Sequence, residues 1–342
     1  MSEPKTPLSA SRIKTLQSCS WLYYSKYVLN LPDGSNDGAK RGSICHLVFE
    51  VLGNSRHKKK YAKIIKKQDV FAVPSIQRLI EKHARISEVA DEENIALIKE
   101  MTLNGLNYDF FGGTSGKPSL AVSEQDFDIV VNNKRHKYRI KGFIDKLFLY
   151  KKDCFALIRD FKTSKQKFKG KEVDDNLQDY MYSLAVKHLF PEYVNRISEF
   201  LFLKFPLEDC KDSGIIKMKP IDEDDLDGFE TQLTEIQNYV DNFSVKDAVS
   251  NLAARQPYPS DNSFSGPLQC GRAKYPNELK KDGSIMWHCP MKFGFEYYVT
   301  LNEDNVAIKS YLNINEIPSN AKYEKRKYEG CPAIKKVLDT RA

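Results

Sequence analysis

The spacing of apolar and polar positions changes several times along the chain, and each change predicts a new kind of element. Leu16, Cys19 and Tyr23 recur at helical spacing behind Ser9 and Ser11, which can act as N-caps. They predict a helix that Pro32, Gly34 and Gly38 bring to an end. A second helix is expected over 39–52, with Gly42, His46 and Phe49 on one face and Gly42 leaving room for another backbone. From 56 to about 106 the chain is polar, lysine-rich and helix-compatible, as in a helical insertion or lid.

The period then changes. Segments 120–131, 138–150 and 155–162 are rich in Ile, Val, Phe, Leu and Tyr and read as three consecutive strands. A helix over 174–189, a strand over 200–205 and a long amphipathic helix over 222–243 follow. Strands followed by a crossover helix and a further strand predict an α/β fold, a mixed central sheet flanked by helices. The expected organisation is N-terminal helices over 1–53, the helical insertion over 54–118 and a central core over 119–250. After these comes a C-terminal extension over 251–342, packed on the core rather than independent. No internal repeat is apparent.

Composition narrows this picture only a little. The chain has 342 residues, 41% of them hydrophobic and 29% charged, which is ordinary for a globular protein able to bury a core. Its formal charge of +7 has the sign suited to a polyanionic partner such as nucleic acid. Seven cysteines without close pairs argue against a secreted disulfide framework, and neither a signal peptide nor a membrane-spanning apolar run is apparent, so a cytoplasmic protein is expected. The run Gly112-Gly113-Thr114-Ser115-Gly116-Lys117-Pro118 lacks the spacing and the Ser or Thr of a phosphate-binding loop, so the chain carries no nucleotide-driven motor of its own. His57-Lys58-Lys59-Lys60 and the lysines from Lys165 to Lys171 suit either a strand channel or a solvated face.

Candidate chemistry lies on the second and third strands. With Lys152 and Asp153 at the turn, antiparallel register places Asp145 opposite Asp160 and Phe143 opposite Lys162, so all three charged groups share a face. Ile140, Ile144, Leu147, Phe148, Leu157 and Ile158 mark these as central strands, where carboxylates are costly unless paired or bound to a metal. Two carboxylates and a backbone carbonyl are hard ligands suited to Mg²⁺ or Mn²⁺. A lysine two residues from such a carboxylate can lower the pKa of an attacking water and stabilise charge on a phosphate. A buried Asp160–Lys162 ion pair without chemistry is the plainer alternative.

These residues resemble the PD-(D/E)XK nucleases, and within them the RecB-type exonuclease branch. The resemblance rests on His46 in Gly42-Ser43-Ile44-Cys45-His46, Asp145 in Gly-Phe-Ile-Asp, Asp160-Phe161-Lys162, and Gln178-Asp179-Tyr180-Met181-Tyr182. It implies a restriction-endonuclease-like core and metal-dependent hydrolysis of DNA, in recombination, repair or degradation. By resemblance, Asp145, Asp160, the Phe161 carbonyl and His46 would hold the metal. Lys162 would activate water, Gln178 and Tyr182 would position the DNA backbone and the site, and Glu124 would be the acidic residue of the preceding strand. Asp126 and Asp128 share the parity of Glu124, so a solvated strand face also explains all three.

Cys19 resembles the early cysteine of members that hold a four-iron, four-sulfur cluster, for which Cys270, Cys289 and Cys331 are available. The late cysteines are widely separated and include no Cys-x-x-Cys pair, a departure from the familiar pattern. Cys45, Cys154 and Cys210 read as small buried residues. DNA ends are the expected partner, with a helicase or recombination protein as a further one. A catalytically silent nucleic-acid-binding or scaffold subunit that retains the nuclease fold is the alternative.

Overall fold

A computed structural model describes residues 3–34, 36–250, 270–332 and 334. The Pro-, Ser- and Asn-rich stretch after Leu252 lies outside the described residues up to 269, as does much of the C-terminal end. The chain divides into two compact units, one of residues 1–10 and 35–241, the other of residues 11–34 and 242–342.

The first unit is built on a five-stranded sheet in the order β1-β2-β3-β4-β5. β1 (Leu120–Asn132), β2 (Lys137–Tyr150) and β3 (Phe155–Lys162) form an antiparallel meander. β4 (Asn195–Phe202) then runs parallel to β3, and β5 (Ile215–Lys217) closes the edge antiparallel to β4. The parallel step requires a crossover, supplied by α7 (Leu177–Leu189). The expected strand over 200–205 therefore begins earlier and stops at Phe202. Its end folds into a turn in which Phe205 N–H donates to the Phe202 carbonyl at 3.0 Å.

One face of this sheet is covered by α3 (Asp37–Gly53), α4 (Lys58–Lys67), α5 (Pro74–Ile86) and α6 (Glu92–Asn107). Their apolar residues Val48, Phe49, Ile64, Ile80, Ile98 and Met101 are buried in one cluster with Phe161 and Leu201 of the sheet. The lysine-rich insertion is thus amphipathic, with charge outside and Ile, Val and Met inside. α7 lies on the opposite face and packs against α8 (Glu223–Asp241), with Tyr180 and Phe229 rings 5.2 Å apart.

The second unit holds α1 (Ala10–Ser18), α2 (Ser20–Tyr27), α9 (Val245–Val249) and a three-stranded antiparallel sheet. Its strands are β6 (Phe295–Leu301), β7 (Ala307–Tyr311) and β8 (Tyr323–Tyr328), in the order β7-β6-β8. The single N-terminal helix expected from periodicity is two helices, because Cys19 leaves helical geometry to cap α2, its sulfur accepting from Leu22 N–H at 3.4 Å. Trp21 anchors this unit, its indole donating to the Tyr328 hydroxyl at 2.7 Å. Among the described residues no helix is long and apolar enough to cross a membrane.

Candidate active site

The site grows out of the β2–β3 turn. A 3₁₀ turn over Lys151–Asp153, followed by Cys154 in the left-handed region, sets Tyr150 against Phe155 and carries the register to Lys146 against Arg159. That is the register expected from the sequence, and it brings Asp145 beside Asp160. The ladder ends there. The expected pairing of Phe143 with Lys162 does not form, because β3 continues along β4 with Lys162 opposite Phe202, while Phe143 is exposed. Asp145 bridges the gap, its Oδ2 accepting from Phe161 N–H at 2.7 Å.

Asp160 is 4% exposed, and burial pushes its carboxyl pKa upward, with Asp145 adding to the rise and Lys162 opposing it. Its Oδ1 accepts from Gln178 Nε2 at 2.7 Å and from the Tyr182 hydroxyl at 2.9 Å. Its Oδ2 lies 2.7 Å from Lys162 Nζ but accepts no well-directed hydrogen bond. Lys162 Nζ also donates to Gln178 Oε1 at 2.6 Å, so one amide holds both members of the pair. Gln178 can do this because it follows the α7 N-cap, Asn176, whose side chain accepts from Gln178 N–H at 3.0 Å. Tyr182, one turn on, is buried on the same face.

His46 approaches from α3. One ring nitrogen lies 3.1 Å from the Phe161 carbonyl and the other 3.4 Å from Asp145 Oδ1. Burial alone would lower its pKa, but the Asp145 carboxylate, with Asp160 and Glu124 behind it, raises it to about 9. The His46 ring therefore sits between the two oxygen donors that a metal would use. Gly42 makes this approach possible, since a Cβ there would lie 2.6 Å from Thr163 Oγ1.

Glu124 belongs to the same cluster. His46, Glu124 and Asp145 each offer a ligand atom, all within 4.8 Å of one another. Burial, followed by repulsion from Asp145, pushes the Glu124 carboxyl up to about 7. Its backbone is left-handed, with φ 51°, in the middle of a strand. Asp128, by contrast, is neutralised by a two-pronged contact with Arg139 at 2.7 Å. These donors fit a divalent cation: the Glu124 and Asp145 carboxylates converge with the His46 imidazole, itself beside the Phe161 carbonyl, and the buried Asp160 Oδ2 lacks a directed hydrogen bond. The cavity over them is lined by Gly42, His46, Glu50, Glu124 and Thr163. Glu50 went unnoticed in the sequence, although it lies four residues after His46 on the same face.

The model of the PD-(D/E)XK nuclease superfamily matches residues 7–263, well over half of the chain. The chain belongs to this superfamily. As in other PD-(D/E)XK nucleases, a divalent-metal site and a nucleic-acid substrate go with the fold. No curated protein matches the sequence. The crystal structure of SSO0001 aligns with 53% of this chain and 75% of its own at 15% identity, with a TM-score of 0.24, too slight a likeness to carry an argument.

The cysteines of this PD-(D/E)XK chain fall into two groups. Cys19, Cys270, Cys289 and Cys331 all belong to the apolar cluster of the second unit. Cys289 N–H donates to the Cys270 carbonyl at 3.2 Å, and Cys331 N–H to the Lys292 carbonyl at 3.3 Å, so residues far apart in sequence meet. Burial, then the neighbouring cysteines, pushes the Cys270 thiol up to about 11 and that of Cys289 up to about 12. Of the remaining three, Cys45 is buried as expected. Cys154 and Cys210 are not, because they lie at the β2–β3 turn and in the loop after β4, where solvent reaches them.

Proposed function

We propose that the protein is a Mg²⁺- or Mn²⁺-dependent deoxyribonuclease, acting as an exonuclease in DNA recombination, repair or degradation. The observation that carries this is the convergence of His46, Glu124 and Asp145 beside the Asp160–Lys162 pair and the Phe161 carbonyl. Asp145, Asp160, the Phe161 carbonyl and His46 would hold the cation, with Glu124 within reach. When bound, the cation supplies Lewis-acid stabilisation of the phosphate and a lowered pKa for water. Lys162 orients the attacking water and offsets charge on the phosphate as the phosphorus–oxygen ester bond breaks. Gln178 and Tyr182 hold Asp160 and Lys162 in place through the hydrogen bonds described above. Water supplies the oxygen that joins phosphorus, and the leaving oxygen takes up a proton.

Purified protein incubated with end-labelled linear and closed circular DNA in Mg²⁺ or Mn²⁺ should degrade the linear form alone. Cleavage no faster than that of an Asp160→Ala control would leave the silent-subunit reading standing. The meeting of Cys19, Cys270, Cys289 and Cys331 also supports a four-iron, four-sulfur cluster in the second unit, since such clusters need four thiolates around one point. Anaerobically purified protein should then absorb visible light, and Cys289→Ser should abolish that absorption.

A further inference from the structure

Beside the catalytic cavity lies a second one, of about 750 Å³, sharing Ala39 and Thr163 with it. Its walls are the start of α3, from Asn36 to Arg41, the segment Thr163-Ser164-Lys165 that leaves β3, and Lys204 after β4. The Asn36 side chain caps α3 by accepting from Ala39 N–H at 2.9 Å, while the amides of Asp37 and Gly38 have no acceptor within the helix. A seventeen-residue helix thus directs the positive end of its dipole into the cavity.

Arg41 is the second, independent observation. It is 8% exposed and lines the cavity, with one guanidinium nitrogen donating to Asn94 Oδ1. Its Nε is buried and has no hydrogen-bond partner. Lys165 and Lys204 face the same space, and neither makes an ion pair or hydrogen bond among the described residues. Burial, followed by Arg41 and Lys165, holds the Lys204 ammonium below the usual lysine range, with Glu100 opposing them. Against three positive side chains the wall offers one carboxylate, that of Asp37. Such a surface is completed by an anion.

We propose that this cavity is a phosphate subsite, which binds the internal backbone phosphate of the DNA strand next to the scissile one. The assignment rests on the nuclease reading and adds a strand-positioning role for Arg41, Lys165 and Lys204. Thr163 directly follows Lys162, so a strand lying in the catalytic cavity passes into this one. The backbone phosphate, not the base, is what the cavity is built to hold, so the contact is independent of sequence.

The test uses Lys165→Ala/Lys204→Ala, with Lys151→Ala/Lys152→Ala at the exposed β2–β3 turn as the charge-matched control. Arg41 is left intact because its removal threatens the fold. Binding of a fluorescent single-stranded 12-mer, followed by anisotropy without divalent metal from 50 to 200 mM salt, needs no cleavage. Affinity should fall by about tenfold in the double variant, and the slope of log affinity against log salt should lessen by roughly 0.7 for the lost phosphate contact. The control should keep the wild-type slope, and Lys204→Arg should restore most of the affinity. Where cleavage is measured, KM should rise while kcat at saturating strand stays within about twofold.

A slope equal to that of the control, or a wild type that binds no strand, overturns the subsite. A lysine dependence seen only with a 5′- or 3′-phosphorylated 12-mer assigns the cavity to terminal phosphates and overturns the internal assignment. A wild type that binds with the expected slope but never cuts sinks the nuclease reading alone.

Discussion

The β2–β3 hairpin buries charge on both of its faces, and the two faces treat it differently. Toward α6 lie Lys146 and Arg159, with Glu199 on the neighbouring strand. Arg159 is 1% exposed, donates to Glu199 Oε2 at 2.8 Å and to the Asp109 carbonyl at 2.7 Å, and lies over the rings of Tyr108 and Phe148. Glu199 takes a further hydrogen bond from the Tyr108 hydroxyl at 2.9 Å. On the other face, Asp160 keeps an oxygen without a directed hydrogen bond, and Asp145 and Glu124 repel each other across the strands. Buried charge alone therefore does not mark a catalytic site. What distinguishes the Asp145–Asp160 face is that its carboxylates crowd one another.

Exchanging the contrast at its strongest point should give opposite outcomes. Asp160→Asn removes a carboxylate whose burial outweighs its attraction to Lys162, so it should cost at least about 10⁴-fold in cleavage rate while leaving the thermal midpoint unchanged or higher. Arg159→Ala strands Glu199 in the interior and should cost about 3–5 kcal/mol of stability by urea titration. Loss of stability in both variants would erase the distinction.

Tyr182→Phe tests how the catalytic face is held. It removes one of the two hydrogen bonds to Asp160 Oδ1 and should lower kcat by roughly tenfold, the equivalent of about 1.4 kcal/mol, with KM little changed. An unaltered kcat would assign Tyr182 to packing.

An effect read against pH should come from Lys146, the one charge on the structural face without an ion-pair partner among the described residues. It lies 3.6 Å from the centre of the Phe110 ring, and burial, with Arg159 behind it, lowers its pKa from 10.5 to about 7. The unfolded chain keeps its proton up to about pH 10, while the folded chain releases it near 7. Wild-type stability should accordingly gain from this group as pH rises between those values. Lys146→Met should be more stable than wild type below pH 7, with the advantage shrinking toward pH 10 in thermal melts. An advantage independent of pH would show that lysine volume, not charge, is what burial penalises.

Much of this was legible in the sequence. Alternation over 138–162 with a short turn dictates register, and register puts Asp145, Asp160 and Lys162 on one face. What covers that face was not legible. Parity shows that Lys146 and Arg159 point away from the site, but their partners Phe110, Tyr108 and Asp109 come from the end of α6 and the turn after it, which only the folded chain brings near. Glu50 could have been found by a step of four from His46. The meeting of Cys19 with Cys270, Cys289 and Cys331 was expected through the family resemblance alone, because no local spacing encodes a contact between residues so far apart. The break between α1 and α2 was missed because both keep helical spacing, while the cap that separates them is a cysteine sulfur, not one of the serines expected to cap.

Glu124 carries a consequence of another kind. A side chain with a Cβ in left-handed backbone costs about 1 kcal/mol or more, and this one also faces the Asp145 carboxylate. Glycine or asparagine would rest there more easily and without the charge. Drift toward a sturdier fold therefore runs downhill toward the loss of this carboxylate. A descendant that has lost its chemistry need not be a damaged protein; by this route it is a relaxed one.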